Sequence, residues 1–266
     1  MLFVATDEES PSDVIKRQGC QKLDVVSILS PSDYQLVQLD LAELPQDEKR
    51  EAARWQIRDL LEFPVEEAVI DVFQVTPFGG DRRPTEFAVA AKRSMLKHYI
   101  ELAGQAELVP VAIDIAEFAL RNIAELFQGD ERGTAILYLE EQGGMLTIVR
   151  EGVQYVTRYL GVGMKDLRAG REDAELLQRQ LEAIVLEVQR TFDYCESGFQ
   201  LPLVSRLLVA QTTQGVTELL SALADLPTHV EELRLSEVMA IPDDIAPIEV
   251  SRSLIAIGGA LRREHH

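Results

Sequence analysis

The sequence contains little of what catalytic and metal centres are usually built from. Among its 266 residues there are two cysteines, Cys20 and Cys195, and four histidines, His98, His229, His265 and His266. Two distant cysteines give neither a disulfide framework nor a zinc spacing. Both are expected as small buried apolar side chains in a reducing compartment. There is no His-x-x-x-His and no Cys-x-x-Cys, which removes the common zinc and redox motifs. Cations are also scarce: 26 Lys and Arg stand against 45 Asp and Glu, for a formal net charge of −19. Such a field repels nucleic-acid phosphates and anionic lipid headgroups and favours a basic partner. No apolar run reaches the roughly 18 residues of a membrane span. The N-terminus lacks the charged-then-apolar layout of a signal peptide. A soluble, cytoplasmic chain is expected.

What the sequence does have is a steady alternation of strand and helix patterns. Residues 23–29 and 34–41 read as two strands joined by the turn cluster Ser30-Pro31-Ser32-Asp33. Residues 46–63 read as a helix stopped by Pro64, with Ala53, Ile57, Leu60 and Leu61 on one buried stripe. Trp55 falls about 200° round from Ala53. The plainer expectation is that it packs against a neighbouring strand within its own subdomain. The other is a partner contact shared with Arg58, three positions on and on the same face. Residues 68–76 and 85–91 read as paired strands, with Gly79-Gly80 in the turn between them. A helix over 94–104 stopped by Gly104, a strand over 108–113 and a helix over 115–127 complete the first half.

A second half begins near Gly133. Three strands over 134–139, 145–150 and 153–160, with turns at Gly143-Gly144 and Glu151-Gly152, predict an antiparallel meander. A long helix over 172–197 follows, with Leu177, Leu181, Ile184, Val188, Phe192 and Cys195 spaced as a core stripe rather than a coiled-coil seam. Then come a strand over 203–210, a helix over 215–223, a short strand over 229–233 and a final helix over 251–262. Gly258-Gly259 inside that last helix predicts close packing against another backbone, since each glycine costs about 1 kcal/mol relative to alanine. The pattern is α/β, with mixed sheets covered by helices.

Several runs, taken in order, resemble a known family. They are Leu29-Ser30-Pro31-Ser32-Asp33-Tyr34-Gln35-Leu36, Glu51-Ala52-Ala53-Arg54-Trp55-Gln56-Ile57-Arg58-Asp59-Leu60, Val69-Ile70-Asp71-Val72-Phe73, Ile113-Asp114-Ile115-Ala116-Glu117-Phe118-Ala119-Leu120-Arg121-Asn122 and Leu146-Thr147-Ile148-Val149-Arg150. Across roughly residues 23–262 the chain resembles the MshI proteins of MSHA type IV pilus biogenesis. These sit within the wider PilM-like group, with the cytoplasmic domain of GspL as a cousin. The resemblance implies an actin-like ATPase (ribonuclease H-like) fold in two α/β halves, residues 1–131 and 132–266. In the first half it implies an incomplete N-terminal subdomain and an inserted small α/β subdomain over about 45–105. It also implies a place at the cytoplasmic face of the inner membrane. PilM-like proteins bind ATP and the N-terminal tail of a membrane partner, and an assembly ATPase is a second partner of such platforms.

The nucleotide motifs of that family are not matched. Its Asp-x-Gly turns hold phosphate on backbone amides and orient a metal or water. The first-half turn is not recognisable in residues 1–23. The second-half positions read Leu139-Glu140-Glu141: leucine cannot bind metal, and Glu141 puts an anion where phosphate would lie. The loop that runs along adenosine corresponds to Gln211-Thr212-Thr213. Only Ile257-Gly258-Gly259-Ala260-Leu261-Arg262 keeps the family pattern. The expectations are therefore no catalytic residues, no metal and no cofactor. The partners expected are a PilN-like membrane-anchored tail (or a membrane segment further along the same protein) and the pilus assembly ATPase. Homodimerisation is a further expectation, and nucleic acid is excluded. The alternatives are a nucleotide-binding actin-like ATPase, with ATP as cofactor, and the cytoplasmic domain of a GspL-like type II secretion protein.

Overall fold

The computed structural model describes residues 11–41, 44–77, 83–127, 132–211 and 217–263. Gly79-Gly80 and Thr212-Thr213 lie outside the described residues. The chain divides into two compact units, residues 1–119 with 262–266 and residues 120–261. No helix among the described residues is long and apolar enough to cross a membrane.

The first unit opens with α1 (Pro11–Arg17), β1 (Asp24–Leu29) and β2 (Tyr34–Leu39). It continues with α2 (Gln46–Ile57), β3 (Ala68–Val75), β4 (Thr85–Lys92), α3 (Arg93–Gln105) and β5 (Val109–Ile115). Both strands expected around Ser30–Asp33 form, but they belong to different sheets. β1 pairs with β5 in parallel, whereas β2 joins an antiparallel sheet of order β2-β4-β3. Along β3 burial alternates, as in a sheet with one face packed and one in water. α2 covers the packed face: Ala53 and Ile57, both fully buried, meet Leu39, Ala68, Ile70, Val72, Ala88 and Ala90. Lys49 on α2 reaches the buried Glu86 on β4 at 2.6 Å.

Two helix ends in this unit differ from expectation. α2 ends at Ile57 rather than Phe63; beyond it the Ile57 carbonyl accepts from Leu60 N (2.9 Å) and Leu61 N (3.1 Å), a last turn that does not continue as helix. Leu60 is thus exposed instead of lying on the buried stripe, while Leu61 still packs on the core. α3 does not stop at Gly104. Glu107 takes the left-handed position (φ 59°). Leu108 N then donates to Ala103 O at 2.9 Å and Glu107 N to Gly104 O at 3.0 Å, the hydrogen-bond pattern of a Schellman stop.

α4 (Ala116–Leu126) carries the chain into the second unit. The meander follows as β6 (Thr134–Leu139), β7 (Gly144–Arg150) and β8 (Val153–Leu160), with Glu151 and Gly152 both at positive φ in the β7–β8 turn. Next come α5 (Met164–Gly170), α6 (Ala174–Phe199), β9 (Arg206–Gln211), α7 (Thr217–Leu223) and β10 (His229–Glu232). The sheet order is β10-β9-β6-β7-β8, antiparallel through the meander and parallel across β6, β9 and β10. This is the expected ribonuclease H-like arrangement of an actin-like half. β6 and β7 are almost wholly buried. α6 lays Leu181, Ile184, Val188, Phe192 and Cys195 into the core, and its start is capped by Asp173, which accepts from Glu175 N and Leu176 N. The last helix is two, α8 (Pro247–Arg252) and α9 (Leu254–Ala260), broken at Ser253. Gly258 and Gly259 are buried, and Gly258 O accepts from Asn122 Nδ2 at 2.8 Å. Both cysteines are buried, as expected.

Candidate functional site

In doubly wound sheets ligands lie beyond the carboxyl ends of parallel strands. β6 and β9 end together there, with Leu139 opposite Gln211 in the ladder. The two positions singled out in the sequence at either end of the nucleotide pattern are therefore neighbours. The Leu139 side chain is fully buried and faces the core. Beyond it Glu140 N donates to Gly143 O at 2.8 Å, tightening the β6–β7 turn.

The turn is closed from the far side by a helix start. The first amides of α5 turn onto it: Met164 N donates to Glu140 O at 2.8 Å and Lys165 N to Glu141 O at 3.0 Å. A helix start has unsatisfied N–H groups that suit an anion, and here two of them are taken by protein carbonyls. The approach is backbone on backbone. A Cβ at Gly163 would lie 2.3 Å from Gly143 N and 2.7 Å from Glu141 O, so no side chain fits. Gly161-Val162-Gly163, which resembles a dinucleotide fragment in sequence, serves this packing instead. Asp166 Oδ2 accepts from Gly163 N at 2.9 Å, and the exposed Glu141 carboxylate is paired with Arg168 of α5. Burial, with Glu140 nearby, pushes the Tyr138 hydroxyl pKa up. No group of three or more His, Cys, Asp or Glu that could hold a metal occurs among the described residues. Chemically, the turn is a salt-bridged corner whose Glu140 and Glu141 carbonyls accept from the start of α5.

The run Ile113–Asn122 carries buried polar groups that sequence reasoning did not assign. Asp114, 5% exposed, accepts from Arg262 Nη1 at 2.7 Å and from Ile115 N at 2.9 Å. Glu117, fully buried, accepts from Tyr34 Oη at 2.5 Å. In the second unit Asn122 holds Gly258. Two segments that resemble the family, at 113–122 and 257–262, are thus tied to each other by structural bonds. The only signal in the sequence was their joint retention.

Trp55 does not pack within its subdomain: it is 68% exposed. The expectation of packing fails because Ala53 and Ile57 already occupy the face of α2 turned to the sheet, and a residue about 200° round points to solvent. Arg58 is exposed beside it, one residue past the end of α2 and still in helical conformation (φ −47°, ψ −47°). Both are exposed, three positions apart at the C-terminal end of α2.

No family model matches the chain, and no curated protein matches it. Among solved structures the chain is similar to the PilM–PilN type IV pilus biogenesis complex, with TM-score 0.72 and 21% identity over 94% of this chain and 82% of that one. It is also similar to the cytoplasmic domain of EpsL, an inner-membrane component of the type II secretion system of Vibrio cholerae. There the TM-score is 0.51 and the identity 11%, over 98% of this chain and 85% of that one. At these identities the likeness establishes the fold. The protein is of the mixed α/β, actin-like class.

Proposed function

We propose that the chain is a non-catalytic cytoplasmic scaffold of a type IV, MSHA-like pilus assembly platform at the inner membrane. It docks the tail of a PilN-like membrane-anchored partner and, through Trp55 and Arg58, the assembly ATPase. The observation that carries this reading is the likeness in fold, over 94% of the chain, to PilM in a solved complex with PilN. The corner at Leu139–Glu141 adds support. The first two amides of α5 there are taken by protein carbonyls, and Glu140 and Glu141 bring two carboxylates against the one arginine that pairs with Glu141, which disfavours phosphate. The reading accordingly includes no catalytic residue and no cofactor. Likeness to EpsL favours, more weakly, a second reading as the cytoplasmic domain of a GspL-like secretion protein. A second copy of the chain is proposed to pair at the edge of β1 that no other strand covers among the described residues.

The ATPase contact is tested by Trp55→Ala. As an interface anchor its loss costs about 2 kcal/mol or more of binding, roughly a thirtyfold rise in Kd. Because the ring is exposed, the thermal midpoint should not move. Unchanged ATPase binding by the folded variant removes α2 from the interface.

A further inference from the structure

α6 has a second stripe that the core does not use. Gln178, Glu182, Val185 and Gln189 follow one another at spacings of four, three and four. This is the alternation a helix shows to one neighbouring helix. Facing them, Glu218, Ala222 and Asp225 on and just past α7 repeat at four and three. The two rows line an open groove of about 680 Å³ within the second unit. Its length along α6, at 1.5 Å per residue, is about 17 Å, or three helical turns. The floor is apolar: Leu181 is nearly buried, Val185 is half-buried and Leu186 is 44% exposed. The rim is acidic, with Glu182 on one side and Glu218 and Asp225 on the other. Glu218 also meets Arg171 at 3.4 Å, an exposed pair at the edge of the groove.

We infer that this groove docks one amphipathic α-helix of a partner polypeptide, about three turns long, with an apolar seam flanked by Lys or Arg. Helix-in-groove recognition needs an apolar floor matched to positions three and four apart, and both walls have that spacing. The sign of the partner follows from the rim: three carboxylates border the floor, on a chain of net charge −19. A second copy of this chain would bring more of the same sign, so a basic segment is the occupant the charges select. The inference does not depend on α2, on nucleotide or on the pilus reading.

The probe is a synthetic, fluorescently labelled three-turn helix with leucines spaced three and four apart and lysines beside them. A control peptide carries glutamates in place of the lysines. Anisotropy titrations of the intact chain should show saturable binding of the lysine peptide and about tenfold or weaker binding of the glutamate one. Leu186→Arg should weaken the lysine peptide about tenfold or more, while Glu67→Gln, an equal charge change in the other unit, should leave it within about twofold. Ala222→Tyr fills the groove by bulk alone and should give the same loss, which covers any failure of Leu186→Arg to fold. No binding of the lysine peptide to the wild-type chain overturns the inference. So does equal binding by folded Leu186→Arg or Ala222→Tyr, which would make the attraction a property of net charge and not of the groove.

Discussion

Cys195 sits against the sheet on the inner side of α6, 3% exposed. Burial pushes its thiol up from 9.0 to about 12, with the charge of Arg158 pulling weakly the other way. The folded chain therefore keeps this proton where the unfolded chain has released it. The sign is fixed by linkage: the contribution is fully present below about pH 9 and is lost as pH rises from about 9 towards about 12. Urea unfolding from pH 8 upwards should show stability falling above pH 9. In Cys195→Ala, which has no thiol to titrate, the fall just above pH 9 should be shallower. Equal slopes in the two proteins would mean that the thiol is not held in an apolar site. Tyr138, Tyr155 and Tyr99 are also shifted upward by burial and add to the fall only above their ordinary value near 10.

At the scale of elements, legibility followed the turn chemistry. The meander strands formed nearly where expected, because Gly143-Gly144 and Glu151-Gly152 mark both hairpin turns and the strands between them are strongly apolar. The core stripe of α6 was equally legible from its spacing. α5 was not, because seven residues between a glycine pair and a second helix carry too little periodicity to separate from a loop. The sheet partner of β1 was not legible either. Pairing with β5 joins residues about 85 positions apart, and nothing local encodes such a contact. At the candidate site, the sequence yielded the residue types at Leu139 and Glu141 but not the way α5 caps the corner. The exposed side of Trp55 followed from helical period; whether another element covered it did not.

The β1 edge is also where the proposed pairing of two copies is tested. A two-stranded parallel sheet is marginal by itself, and among the described residues only β5 pairs with β1. Leu23 O accepts from Val109 N at 3.0 Å on the β5 side. Alternation then turns the peptide groups of Asp24, Val26 and Ile28 to the open edge. Unpaired edges recruit strands from other chains. Sedimentation at high protein concentration should show dimer, and Val26→Pro should give monomer with little loss of fold, since proline is tolerated where the lost N–H faces outward. A strictly monomeric wild type would refute strand addition.

On the scale of the whole molecule, the fold is of the actin-like class, and we propose that the corner in the second unit is structural rather than catalytic. Leu139 faces the core, Glu141 is bound to Arg168 and the α5 amides are occupied. The net charge of −19 and the exposed Trp55 and Arg58 fit the proposed role in binding partners. The most direct measurement is a calorimetric titration with the N-terminal cytoplasmic tail of the membrane-anchored partner, run with and without Mg-ATP. Binding of the tail with the same Kd in both titrations is the expected result. A tail that does not bind, or that binds only once Mg-ATP is present, would contradict a scaffold that works without nucleotide.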